Sequence, residues 1–513
     1  MASAPQTSNE PRRSLAISPA TWGFLLVSLV AFFTYFAGYH TPSALFWDEN
    51  YHIASAQKSL HGVLFMEPHP PLGKLLIALG EWLLHPNLAT DQFLTTDYAR
   101  DLPPAFSFLG YRFFPALFGW LTAPVLYLVM LTLTRRVNIA VALSALYVFD
   151  NALIVHSRGA MLESIQLFFI SLFLLGFVRA LAIKPVKDTL MLNVTLMGLA
   201  IGAALSTKLN AAILLLLVLA LAIRLRRTPA LCRDSLVRIA VCTGTVFCLV
   251  WQIHFSIGHE IQTKLPNNGF YRASPEYRAS IMSRESWSPQ LYAIMLSDSF
   301  EFFRNYQKGV PRLNLCKQDE NGSPPTWWPL GGRAINYRWD RSGETTRYLY
   351  LVANPAVWWS VGAAIALGCA LLITAPFSAP RRRFRRKFLL ISLLTTYFTY
   401  MLLMISLDRV MYLYHYFIPL VLGMLVLATL LQDVRGTGRR TIGPSQRAKI
   451  ATGLALVICT CFFWFRPLSY GGPLTNAEII QRSWLPAWDL RCADCPTTNG
   501  IANWSCMGAR KAK

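Results

Sequence analysis

The sequence predicts an all-α integral membrane protein with about eleven transmembrane helices and two large loops on one side. Three observations predict it. Hydrophobic residues make up 54% of the 513 positions and charged residues only 14%, where a soluble chain carries about a quarter charged. The apolar residues gather in runs near the length that crosses a bilayer. The basic residues fall in short clusters between those runs, so the formal charge of +22 fits the positive-inside rule and not a nucleic-acid surface.

Residues 1–20 are polar, carry Arg12 and Arg13, and read as a cytoplasmic tail. The membrane domain is expected over 21–465, beginning with a span at 21–38. No small-residue cleavage site follows that span, so it is expected to stay as an anchor. Ten further spans fall near 112–133, 138–155, 162–182, 189–206, 209–225, 236–256, 352–375, 388–406, 411–432 and 448–465, of which 138–155 and 209–225 are short. Arg135-Arg136, Lys184 with Lys187, Arg224 to Arg238, Arg381 to Lys387 and Arg435 to Lys449 then share one side with the N-terminal tail. An odd span count puts residues 466–513 outside.

Two large outer loops result, 40–110 and 257–350. In the first, Leu72, Leu75, Leu76, Leu79 and Leu83 fall on one helical face behind Pro70-Pro71. That helix is too short and too amphipathic to span and is expected to lie in the interface. The second loop is rich in Pro, Gly, Arg, Tyr and Trp and too polar to enter lipid. No internal repeat is visible. Of the ten cysteines, Cys232, Cys242, Cys248, Cys369, Cys459 and Cys461 lie in or beside spans, as packing residues do. Cys316, Cys492, Cys495 and Cys506 lie outside, where oxidation is allowed. Cys492-x-x-Cys495 is read as a structural disulfide, against a redox pair or half a zinc site; its connectivity is open.

The stretch Phe46 to Lys74 holds the strongest candidates for chemistry. Asp48 and Glu49 are adjacent acids just past an apolar segment, and acids at a membrane surface are functional candidates. Asp48 could instead cap a helix running through Ile53-Ala54-Ser55-Ala56. The order Asp48-Glu49, a small-residue helix, Gly62-Val63-Leu64-Phe65, then His69-Pro70-Pro71-Leu72-Gly73-Lys74 resembles the first outer loop of the protein O-mannosyltransferases. Phe149-Asp150-Asn151-Ala152-Leu153, His156-Ser157-Arg158 and Leu162-Glu163-Ser164 resemble a second family motif, with Glu163 where the family usually has Asp. Trp251 to Phe255 with Asn267 to Phe270, Pro325 to Leu330, Asn354 to Trp359, Tyr412 to Phe417 and Phe465 to Gly471 extend the resemblance over almost the whole chain. The second loop is too short for the β-trefoil insert of eukaryotic members, which points to a bacterial-type member.

The resemblance implies a GT-C-type glycosyltransferase that moves a mannosyl residue from a polyprenyl-phosphate carrier to protein Ser or Thr hydroxyls. The expected setting is the extracytoplasmic face of a bacterial plasma membrane, or the endoplasmic reticulum in a eukaryote. The phosphate leaves without being protonated, so such a transfer needs a base for the acceptor hydroxyl and cations for the phosphate. One carboxylate suffices for inversion. Adjacent residues on a helix point about 100° apart, so Asp48 and Glu49 do not both face one atom. The resemblance makes Asp48 the base and Glu49 the holder of a neighbouring residue or the acceptor.

Arg112, Arg158 and Lys208 are the expected donor-phosphate cations, with a structural role the alternative for Arg112, and His69 and Glu163 are the supporting residues. Each has a plainer reading: Arg112 as a snorkelling anchor, Arg158 and Glu163 as an ion pair closing an outer turn. His69 with Glu67 is too few ligands for a metal site, so none is expected, and dependence on a divalent ion stays open. No other cofactor is expected. Two competing functions remain: the same enzyme class with a lipid or glycan acceptor, as in the aminoarabinose transferases, and a transporter. A transporter predicts broken mid-membrane helices and inverted repeats, whereas here the ionisable residues cluster at one face.

Overall fold

The computed structural model describes residues 17–182, 187–261, 273–284, 287–317, 320–374, 386–433, 442–493 and 495. Arg12, Arg13, Lys184, Arg381 to Arg385, Arg435 to Arg440, Asn267 to Phe270 and Cys506 lie outside the described residues. In chain order the α-helices are α1 Pro19–Ala31, α2 Glu49–Leu60, α3 Leu72–Leu84, α4 Phe113–Thr134, α5 Val137–Val148 and α6 Asn151–Ser157. Next come α7 Glu163–Ala182, α8 Lys187–Leu205, α9 Leu215–Leu225, α10 Pro229–Ile257, α11 Pro275–Ser283 and α12 Pro289–Gly309. The last are α13 Pro355–Thr374, α14 Lys387–Ser406, α15 Phe417–Asp433, α16 Pro444–Tyr470 and α17 Asn476–Arg482. Among the described residues nine helices are long and apolar enough to cross a membrane, or ten if the bent pair α5–α6 is one span. The eleventh expected segment, Leu209–Leu225, is a shorter apolar helix that opens as a 3₁₀ turn.

Packing separates core from lipid-facing surface. α15 is buried on almost every side, against α13, α14 and α4, and α7, α8 and α10 pack in turn beyond α4. Helices at the rim keep outward apolar stripes, such as Trp22, Leu25, Leu29 and Phe33 on the first and Val237, Val241, Leu249 and Ile253 on α10. Such stripes are what a bilayer covers. α3 follows the same logic outside the spans. Its Leu79, Trp82, Leu83 and Leu84 face outward while Lys74 and Glu81 are buried, so its polar groups face protein and its apolar face fits the interface. Its close approach to α4 depends on glycine: a Cβ at Gly80 would lie 2.3 Å from the Gly110 carbonyl oxygen.

Two departures from the expected architecture shape the site. The segment 138–155 is not straight. It breaks by 62° between α5 and α6, and the Asp150 carboxylate caps the new helix by accepting from the Leu153 N–H at 2.9 Å. The second departure is a three-stranded sheet in a chain expected to be all-α. β1 Ile335–Ser342 and β2 Thr345–Leu351 form an antiparallel hairpin, and β3 Pro473–Leu474 from the C-terminal tail joins β2. Gly343 supplies the positive φ, +60°, that the hairpin turn requires. The register shifts between Asn336 and Arg338, which leaves Tyr337 as the extra residue of a bulge.

The second outer loop also holds α11 and α12, and the C-terminal tail packs back on it. Trp488 is fully buried and donates to the Leu330 carbonyl at 2.8 Å. Cys492 and Cys495 are disulfide-bonded to each other, and Cys316 is also in a disulfide.

Candidate active site

Asp48 stands just before α2, and its side chain does not cap that helix. Trp47 precedes it in a left-handed conformation, φ 52°, which a bulky residue adopts only when its surroundings hold it there. Tyr337 does so by stacking on the indole at 5.3 Å, with Tyr412 edge-on at 5.3 Å. The result turns the half-buried Asp48 carboxylate toward Tyr414, whose hydroxyl donates to it at 3.3 Å. Burial pushes the Asp48 carboxyl up to about 6. The Glu163 charge adds to this, and Lys208, His156 and the Tyr414 hydroxyl oppose it.

Glu49 points the other way, as helical geometry requires. It is fully buried and pairs with Arg112 through Nε–Oε2 at 2.9 Å and Nη2–Oε1 at 2.6 Å. It also accepts the Phe46 N–H at 2.9 Å and the Ala160 N–H at 3.1 Å. Arg112 donates further to the carbonyls of His40, Pro42 and Ala44 at 2.9, 2.6 and 2.7 Å. With its guanidinium over the Phe108 ring at 4.0 Å, every donor has a partner inside the fold. The arrangement suits the structural role expected for Arg112 and leaves none of its N–H groups over for a lipid phosphate. It corrects the snorkelling alternative, because the side chain turns inward.

Arg158 is engaged in the same manner. It donates to the carbonyls of Tyr35, Ala37 and Gly38 at 3.4, 2.8 and 2.6 Å, where the first span ends, and stacks over Tyr470 at 4.8 Å. The expected Arg158–Glu163 ion pair is not formed.

Glu163 pairs instead with Lys208 through Oε1 and with His156 Nε2 through Oε2, the latter at 2.7 Å. His156 Nδ1 meets the Tyr337 hydroxyl at 2.5 Å, and its ring stacks on Tyr414 at 5.0 Å. Lys208 Nζ lies over the Tyr414 ring at 5.5 Å. Tyr414 therefore links Asp48 to the Lys208–Glu163–His156 cluster. A small cavity opens beside the cluster, lined by Glu163, Gln166, Lys208, Asn210, Tyr414 and His415.

His69 lines a second small cavity with Glu67, Lys74 and His254. Lys74 pairs with Glu67, which also accepts from Ser55. Burial holds the His69 imidazole well below its usual range, with Lys208 adding to the effect, and holds Lys74 well below the usual amine range. Among the described residues no group of three or more His, Cys, Asp or Glu could hold a metal ion.

Sequence reasoning gave no role to His156, Tyr337, Tyr414 or Lys74, although His156, Tyr414 and Lys74 fall inside matched motifs. Their partners lie far along the chain, so no local spacing marks them. Tyr337 had one available signal: a Ser-Gly-Glu turn flanked by aromatic and β-branched residues reads as a hairpin.

Comparisons with known proteins agree with this architecture. The family described as dolichyl-phosphate-mannose-protein mannosyltransferase matches residues 25–255. The C-terminal four-span region of protein O-mannosyltransferase matches residues 303–488. Protein O-mannosyl-transferase 1 of Danio rerio is 33% identical over 156 residues, 30% of this chain and 21% of that protein. Dolichyl-phosphate-mannose--protein mannosyltransferase 1 of Saccharomyces cerevisiae is 30% identical over 194 residues, 35% of this chain and 22% of that protein. The chain thus aligns with about a fifth of the length of these relatives. A solved structure of the S. cerevisiae protein O-mannosyltransferase Pmt1–Pmt2 complex bound to the sugar donor superposes with a TM-score of 0.73 over 94% of each chain at 16% identity, which shows a shared fold. That fold is of the GT-C class. With the two family matches covering both the loop that carries Asp48 and the region that carries Tyr414, this chain belongs to the protein O-mannosyltransferase family.

Proposed function

We propose that the chain transfers a mannosyl residue from a polyprenyl-phosphate carrier to Ser or Thr hydroxyls of proteins, with inversion and with Asp48 as general base. The observation that carries the reading is the Asp48 carboxyl. It does not cap α2, it is half-exposed, and burial raises it to about 6. A base near the working pH can take the acceptor proton as the new bond forms. Lys208 supports the other half of the reaction. It is a buried cation on one carboxylate, beside a small cavity, and a phosphate oxygen can share or replace that partner. Glu49 and Arg112 act as the frame that fixes the Asp48 loop, and His69 and Glu163 as neighbours that set the local charge.

The reading places the site on the extracytoplasmic face of the membrane, with residues 40–110 and 257–350 outside. Cysteine labelling of a cysteine-depleted chain tests that side: position 320 should react from outside and position 384 should not. The chemistry is tested with purified protein, a radiolabelled polyprenyl-phosphate mannose, and peptide and lipid acceptors side by side. Label should pass to the peptide hydroxyl, and Asp48→Asn should abolish the transfer while the protein remains folded. Label passing only to the lipid acceptor would show a different acceptor class.

A further inference from the structure

The outward apolar stripe of α10, Val237, Val241, Leu249 and Ile253, runs up to a polar end. Ser256 lies nearly one turn above Ile253 on the same face and is exposed. At about 1.5 Å per residue the helix rises about 27 Å from Arg238, in its basic end, to Ser256. That is close to the hydrocarbon core of a bilayer, about 30 Å. Ser256 therefore stands where acyl chains give way to headgroups. The second outer loop packs on these same turns: Phe300 lies 6.3 Å from Trp251, and Tyr277 and Tyr292 lie 5.9 and 5.6 Å from Phe255. α11 and α12 are thus level with the exposed Leu249 and Ile253. Met282 and Trp287, 80% and 77% exposed, flank them at the depth where Trp anchors proteins in the interface.

A cavity of about 200 Å³ opens at this level, well above the about 10–15 Å³ that a single water requires. Phe255, Ser256 and His259 line it from the outer end of α10, and Ser280, Ile281 and Arg284 from α11 and its C-terminal end. Phe255 and Ile281 are buried, whereas Ser256, His259 and Arg284 are exposed. Among the described residues the Arg284 guanidinium has no carboxylate partner. Its planar fork matches a phosphate. His259 Nδ1–H donates to the Ile257 carbonyl at 2.9 Å, so the neutral ring keeps Nε2 as an acceptor, which suits a headgroup hydroxyl. The same stretch is tied to the catalytic loop. The N–H groups of His259 and Glu260 donate to the Gly62 carbonyl at 2.8 and 3.0 Å, and Leu64 N–H donates to the Glu260 carbonyl at 2.8 Å.

We propose that this cavity binds the phosphodiester headgroup of a membrane phospholipid, with Arg284 as the cation on the phosphate and the acyl chains lying along Leu249 and Ile253. Three features converge on that ligand: a cation with room beside it, a depth at the hydrocarbon boundary, and an apolar stripe leading to the cavity from below. A hydroxylated headgroup such as glycerol also gives His259 a donor. The bound lipid fixes α11 to the end of α10, and through Gly62 it braces the turn that follows α2. The site is separate from the Lys208 cluster, and it stands whether or not the chain transfers mannose.

The test uses the full-length chain, delipidated in detergent, with phosphatidylglycerol as the probe. Native mass spectrometry should show a retained lipid adduct, and Tm should rise saturably with lipid. Inorganic phosphate at the same concentration should do neither. Arg284→Gln should weaken the apparent affinity about 10–100-fold, as loss of a charged hydrogen bond does, and Arg284→Lys should keep most of it. Ser256→Trp, at an exposed position, should fill the mouth and abolish the adduct, which leaves a second variant if Arg284→Gln fails to fold. Arg304→Ala removes an exposed cation of α12, 4.0 Å from Glu301, and should change nothing. Unchanged binding in both Arg284→Gln and Ser256→Trp overturns the proposal, as does an equal loss in Arg304→Ala, which would show general charge attraction. A response to inorganic phosphate equal to that of the lipid would show a small-anion site and overturn the lipid reading. Binding confined to polyprenyl phosphate would assign the cavity to the sugar carrier and overturn it as well.

Discussion

Two buried ion pairs lie at the same end of the helices, and they differ in how completely they are satisfied. In Arg112–Glu49 every guanidinium donor has a partner and both side chains are fully buried. In Lys208–Glu163 the ammonium has one carboxylate, a ring face and a cavity. The sequence offers no way to rank them, since each is a cation at a span end paired with an acid. The difference teaches that a buried charge with nothing left to donate is a frame, while one with a replaceable partner is available to a ligand.

Four substitutions test that contrast, the largest effect first. Asp48→Asn keeps the shape and removes the basicity, so turnover should fall about 10²–10⁴-fold with donor affinity retained. Near-normal turnover of a folded Asp48→Asn protein would place the base elsewhere, with Glu163 next in line. Arg112→Ala should act on the frame: breaking a buried pair costs about 3–5 kcal/mol, read as a lower Tm and poor yield rather than as a change in donor KM. Glu49→Gln belongs with it, because a Gln amide cannot accept all the N–H groups now on the carboxylate; a fully stable Glu49→Gln protein would count against the frame. Lys208→Met should leave the fold intact and raise donor KM about 10–100-fold, as loss of a charged hydrogen bond does. If Lys208→Met unfolds the chain and Arg112→Ala only weakens donor use, the contrast is reversed.

Two smaller effects follow from the raised Asp48 carboxyl. Below about pH 6 the group holds its proton, so turnover should rise as pH passes upward through that value and level off above it. Stability has the opposite sign. A carboxyl raised from its ordinary value binds a proton in the folded state between about pH 4 and 6 that the unfolded chain has released, so the fold loses stability as pH rises through that window. Asp48→Asn should therefore raise the Tm at neutral pH and leave it little changed near pH 4. A Tm lowered at pH 7 would show that the carboxylate contributes to stability after all.

The fold was legible wherever one residue type repeats. Each of the eleven apolar runs corresponds to helical structure, and the face of α3 and its start at Pro70-Pro71 follow from spacing. The kink before α6 was not, because 138–155 is apolar on both sides of Asp150-Asn151 and the break depends on the partners of Asp150, which bonds to Leu153 and to Trp358 at 2.8 Å. The hairpin was missed because Tyr and Trp in an outer loop also suit an interfacial surface. At the site, Asp48 stood out as one of two adjacent acids past the first span and Lys208 as a lone charge at a span end. Arg112 and Arg158 stood out for the same reason, and only the carbonyls of Ala37, Gly38, His40, Pro42 and Ala44 separate them from Lys208. Backbone acceptors leave no mark in a sequence.

The Asp48–Tyr414 contact joins positions 366 residues apart, and this has a consequence for biosynthesis. The acid is made early and its hydroxyl partner late, after most of the helices. Until the segment 413–416 has been synthesised and docked, the carboxylate lacks part of the shell that buries it, and in water an aspartate is a weak base. A nascent or prematurely terminated chain would carry the reactive acid but not its tuning. With Asp48 as the proposed base, assembly order would act as an interlock, keeping the transfer silent until nearly the whole polypeptide is in place.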